Sequence, residues 1–81
     1  MDKEKIRKML IEILQIQFAG LDLGSPWLQQ IESINVVALI IVLEKNFSIE
    51  VQAAEMNERN FLDLETVTAW LENKIKYHAT L

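Results

Sequence analysis

Cysteine is absent from the 81 residues, and histidine and proline occur once each, at His78 and Pro26. Disulfides, thiolate nucleophiles and zinc sites built from those ligands are therefore excluded, while the redox compartment stays open. Long apolar runs are missing too. The longest, Val36 to Leu43, has eight residues, against about eighteen for a membrane span. The early charges of MDKEKIRKML interrupt anything like the apolar core of a signal peptide. The expectation is a cytoplasmic protein with no membrane span.

What is present is a 51% hydrophobic share and a net charge of −4. At this length we expect one domain, 1–81, with too little interior to enclose a substrate pocket and a catalytic constellation, so no independent enzyme. Residues 1–20 hold four Lys/Arg against three Asp/Glu, whereas residues 21–81 hold four against nine. That acidic part repels nucleic acid phosphates.

Ile6, Met9, Leu10, Ile13, Leu14 and Phe18 recur at three and four, predicting an amphipathic helix over 3–18 with Asp2 as its cap and Gly20 as its end. Residues 20–32 hold both glycines and the proline without sustained periodicity. They predict a long ordered loop tacked to the core by Leu21, Leu23, Trp27, Leu28 and Ile31. A second helix over about 33–46 is apolar on nearly every side. Val36, Leu39, Ile40, Leu43 and Phe47 form one stripe; Ile34, Val37, Ala38 and Ile41 form another, which Lys45 continues into water. So small a domain cannot bury both stripes. A strand is disfavoured because the run passes into LEKN with no turn signal.

Residues 51–56 suit a short helix, and Asn60-Phe61 an anchor returning to the core. A last helix follows Asp63 as cap, with Leu62 and Val67 at staple positions and Val67, Trp70, Leu71 and Ile75 inward. The predicted fold is all-α, a small four-helix bundle of three longer helices and one short one, with a long loop between the first two.

Ser33 stands where loop meets second helix. Serine is a favoured N-cap there. The same place also favours an attached phosphate, because first-turn N–H groups and the helix dipole stabilise negative charge. Other candidates have plainer readings. His78 reads as a solvated end, Trp27 and Trp70 as core, and Glu55, Glu58, Asp63 and Glu65 as solvated acids without metal-loop spacing.

The order of loop, Ile31-Glu32-Ser33-Ile34, the helix and its continuation VVALIIVLEKNFSIEV, then an NF pair and a closing helix resembles acyl carrier and peptidyl carrier proteins over nearly the whole chain. LEKNFSIEV resembles the family's Leu-Glu-x-x-Phe-x-Ile-x-Ile segment, and ERNF at 58–61 resembles discrete carriers of polyketide and nonribosomal peptide pathways. The resemblance implies that Ser33 carries 4′-phosphopantetheine, donated from coenzyme A by a separate phosphopantetheinyl transferase. It also implies contacts with that enzyme, an acyl- or aminoacyl-loading enzyme and a downstream synthase or transferase through Glu32, Ile34, Asn35, Ala38, Ile41 and Lys45 of a monomer. Polyketide, nonribosomal peptide and specialised fatty-acid metabolism are the settings it suggests.

The sequence departs from the family pattern in places. Glu32 replaces Asp and Ile34 replaces Leu in its Asp-Ser-Leu motif, and Gln30 stands where Gly is usual; the Gln30 and Glu32 exchanges bear on the rate of modification. Asn35, Ala38 and Lys45 stand where the fatty-acid carrier is acidic, which implies different partners and poor service to fatty-acid synthesis enzymes. The alternative from another class is an unmodified helical interaction module whose apolar stripe docks on a partner helix or on itself.

Overall fold

A computed structural model describes residues 2–78, the last of them by its backbone alone. The expectation for the His78 side chain therefore lies outside the described residues. Helix α1 spans Lys3–Gln17, α2 spans Ser33–Phe47 and α3 spans Leu64–His78. Two single 3₁₀ turns, Trp27–Gln29 and Ala53–Glu55, interrupt the connections, and no strand occurs among the described residues.

Local interactions mark the starts of α1 and α3 and the end of α1. The Asp2 carboxylate accepts from the Lys5 N–H at 2.8 Å, supplying a partner for an otherwise orphaned first-turn donor. Gly20, at φ +91°, takes the left-handed conformation that turns the chain away from α1. At α3, the Asp63 carboxylate accepts from the Thr66 N–H at 2.9 Å while the Thr66 hydroxyl accepts from the Asp63 N–H at 3.0 Å. This is a reciprocal cap with threonine in place of glutamate. The expected staple does not form its inward half: Leu62 is exposed, because Phe61 and Leu64 occupy the inward positions at this junction.

The core gathers one face of each helix. Ile6, Leu10 and Leu14 of α1, Leu39, Leu43 and Phe47 of α2, and Val67 and Leu71 of α3 are buried around Trp27 and Phe61. Thr68 is buried among them, its hydroxyl donating to the Leu64 carbonyl at 2.6 Å, so it enters the core without an unpaired polar atom. Trp27 donates its indole N–H to the Leu23 carbonyl and its backbone N–H to the Phe61 carbonyl, each at 3.0 Å. The Phe61 ring lies 6.0 Å from Trp27 and 5.1 Å from Trp70, in both cases tilted. These rings join the first loop, the second connection and α3, and truncating either of the fully buried pair would remove about 3–5 kcal/mol.

The fourth, short helix expected over 51–56 is not there; residues 53–55 make one 3₁₀ turn. Its hydrogen bonds are diverted before a helix can propagate. Val51 is buried, its N–H donating to the Glu44 carboxylate at 2.9 Å. Gln52 and Glu55 close a capping box on a single turn. Asn57 and Asn60 then donate their carboxamides to the Ala54 and Glu55 carbonyls, at 3.0 and 2.9 Å, where successive helical N–H groups would otherwise bond. Among the described residues the fold is a small helical bundle of three helices.

Candidate functional site

Ser33 is the first residue of α2, not its cap. Glu32 holds the cap position with extended backbone, and its carbonyl accepts from both Asn35 and Val36, at 2.8 and 3.2 Å. The helix therefore starts one residue earlier than a serine cap would have it. The Glu32 side chain makes no capping bond, consistent with an arm longer than the favoured capping residues. Ser33 is exposed, and its hydroxyl has no hydrogen-bond partner among the described residues. The N–H groups of Ser33 and Ile34 are left without an intrahelical acceptor, at the positive end of the helix dipole. An oxygen esterified with phosphate fits this place: it is reachable, no internal bond must be given up, and no side chain caps the helix ahead of it.

The approach to Ser33 is built by a residue the sequence singled out only as a departure. The Gln30 carboxamide accepts from the Asp22 N–H at 2.8 Å and donates to the Asp22 carbonyl at 2.8 Å. It also reaches the carbonyls of Ser25 and Pro26, each at 3.3 Å. One side chain thus gathers the backbone of the whole loop, which glycine could not do. Inside the clasp, Asp22 accepts from the Ser25 hydroxyl at 2.8 Å and from the Gly24 N–H at 3.1 Å, and these bonds hold its carboxyl below the ordinary value. The Asp-x-Gly-Ser pattern carried a readable turn signal. For Gln30 there was none, since its partners are backbone groups four to eight residues away.

Beside Ser33 runs the outer face of α2. Ile34, Val37 and Ile41 are 77%, 58% and 54% exposed. At about 100° per residue, Ile34, Ala38, Ile41 and Lys45 fall on one line, with Val37 at its edge. Ala38 and Lys45 are exposed as well. Ser33 comes one residue before this line, about 100° round the helix from Ile34 and nearer Val37, with Glu32 just before it, while Asn35 lies off the line on the other side, beside Gln17 and Ile31. Two apolar stripes were expected on this helix, one of them in water, and that is the arrangement observed.

The acids read as solvated also make contacts, although Glu58 and Glu65 stay exposed. Glu55 is half-buried; burial alone would raise its pKa, but the Gln52 N–H, the Lys74 ammonium and the Trp70 indole N–H, at 2.9, 2.9 and 3.2 Å, outweigh it and hold the carboxyl below the ordinary range. Glu58 accepts from Gln29 at 3.4 Å, Asp63 caps α3, and Glu65 pairs with Arg7 at 2.7 Å, bringing the starts of α1 and α3 together. The cap at Asp63 was expected; the pairings of Glu55, Glu58 and Glu65 were not, because Lys74, Trp70, Gln29 and Arg7 lie on other segments. Among the described residues no group of His, Asp and Glu could hold a metal ion, and no helix is long and apolar enough to cross a membrane. No protein-family model matches the chain, and no curated protein matches it either.

Proposed function

We propose that this protein is a carrier: Ser33 bears a 4′-phosphopantetheine arm, and the outer face of α2 presents the arm's cargo to partner enzymes. The observation that carries the reading is an exposed, uncommitted serine hydroxyl at the first position of a helix whose outward face is apolar. The chain supplies the nucleophile. In the transferase, the Ser33 oxygen forms a bond to the pantetheine-bearing phosphorus of coenzyme A, the diphosphate bond to the nucleotide breaks, 3′,5′-adenosine bisphosphate leaves, and the serine proton passes to a base of the transferase. The arm ends in a thiol that holds acyl or aminoacyl groups as thioesters.

The remaining work of this chain is positional. A tether fixed at Ser33 raises the cargo's local concentration at each partner. The stripe of Ile34, Ala38 and Ile41 selects partners through an apolar patch small enough to release them. Lys45, and neutral Asn35 and Ala38, favour partner surfaces other than the basic ones that read acidic carriers. Polyketide, nonribosomal peptide or specialised fatty-acid synthesis is the setting we assign.

Intact mass after incubation with coenzyme A, Mg²⁺ and a broad-specificity transferase tests the reading. One added phosphopantetheinyl group is expected, and none in Ser33→Ala. No addition with several transferases, or unchanged addition in the variant, overturns it in favour of an unmodified interaction module, which the same exposed isoleucines would serve.

A further inference from the structure

A depression of about 350 Å³ opens between the end of α1, the first loop and the start of α2. That lies within the range of about 300–1,000 Å³ usual for small-ligand sites. Ser33 does not itself line it, but its sequence neighbours do: Gln30 and Ile31 from before the helix, and Asn35 from its first turn. Its chemistry is mixed. Phe18, Leu21 and Ile31 are partly buried and pack against the core, giving the smaller, apolar share of a mainly polar lining. Gln17 and Asn35 add carboxamides that have no hydrogen-bond partner among the described residues. Gln30, by contrast, is spent on the loop and forms a fixed wall.

We infer that this depression is the resting place of the arm attached at Ser33. The inference rests on the carrier reading. A pantetheine chain alternates the same two kinds of group, a gem-dimethyl unit with a hydroxyl followed by amides along a short alkyl chain. Apolar segments gain by leaving water over Phe18, Leu21 and Ile31, and the amides pair with the free carboxamides of Gln17 and Asn35. The outer face of α2 carries apolar residues and one cation but no amide along its line, so it suits a protein surface better than a polyamide tether. With the arm lodged on the α1 side, the docking face stays uncovered until a partner draws the arm out.

The experiment compares apo and holo protein by backbone amide NMR after mass spectrometry has established the holo form. Shift changes are expected at residues 17–21, far from Ser33 in sequence, together with arm methyl contacts to the Phe18 ring. Ala19→Trp, a filling substitution at an exposed lining residue, abolishes both. Alkylation of the holo thiol is slowed relative to free pantetheine, roughly fourfold if three-quarters of arms are docked, and Ala19→Trp restores the free rate. A holo protein whose shifts are confined to Ser33 and its immediate neighbours, or extend to Val37 and Ile41 instead, overturns this inference and leaves the carrier reading intact. Absence of the added mass overturns both.

Discussion

The two faces of α2 are made of the same material and meet opposite fates. Leu39 and Leu43 are wholly buried, while Ile34 and Ile41, equally apolar, stand more than half exposed. What separates them is angle alone, since neighbours one residue apart, Ile40 and Ile41, differ by about 100° around the helix. Water would be excluded from both faces if size allowed it. Among the described residues three helices share one core, and that core takes up only one side of α2. The exposed apolar line is therefore a retained cost, and under the carrier reading it is the face on which partner enzymes dock.

The sharpest way to break this comparison is to put the same charge on each face. Leu43→Asp leaves a cavity and an unpaired buried carboxylate, together about 5 kcal/mol or more. For a domain of this length that is comparable with the entire stability, so thermal unfolding should show no cooperative transition at room temperature and above. Ile41→Asp should cost within about 1 kcal/mol, as a surface change does, and should impair transfer to a cognate partner. Equal collapse of both would show that the Ile41 face is interior.

The segments entering and leaving α2 extend the contrast. Each is long, lacks an α-helix and is gathered by one side chain, but the first relies on the neutral Gln30 and the second on the charged Glu55. Because Glu55 is held below its ordinary value of 4.5, its stabilisation is present above that value and is lost as pH falls through the lower folded-state value. Glu55→Gln should cost about 2 kcal/mol near neutrality, where charge-assisted bonds to Lys74, Trp70 and Gln52 are lost, and should flatten the acid side of the stability profile. Gln30→Ala should cost about 1 kcal/mol, because water can reach the freed Asp22 groups, and should keep the wild-type acid slope. Urea midpoints measured from neutral pH down through 4.5 check both. Parallel slopes for all three proteins would show that Glu55 does not titrate as its contacts require.

The helices were legible and the connections were not, for one physical reason. Periodicity and caps act within a few residues, so Asp2, Gly20, Asp63 and the two stripes of α2 could be read directly, and the helix limits agree to about a residue. Gln30, Glu44 and Glu55 act across four to nineteen residues, Gln30 on the far end of its own loop and the two acids on other segments. Nothing in local sequence announces such reach. The short helix expected at 51–56 failed on the same ground, because its N–H and carbonyl groups were taken by Glu44, Asn57 and Asn60. Ser33 was found by its place, yet its role there was misread by one residue.

That one residue sets the smallest and most informative effect. If Ser33 were the cap, Ser33→Ala would cost about 1 kcal/mol, like the loss of a true cap such as Asp63. In the structure Glu32 holds the cap position and the Ser33 hydroxyl supports nothing. Alanine is also the better helix former at a first helical position. Ser33→Ala should therefore unfold within about 0.5 kcal/mol of wild type, while Asp63→Ala falls by about 1 kcal/mol in the same urea titration. The comparison decides more than a helix boundary. A hydroxyl that stabilises the fold shares or gives up that bond when it attacks phosphorus, whereas one that stabilises nothing reacts without that cost. A loss in Ser33→Ala as large as that in Asp63→Ala would place the serine back in the cap and remove the uncommitted nucleophile on which the carrier reading depends.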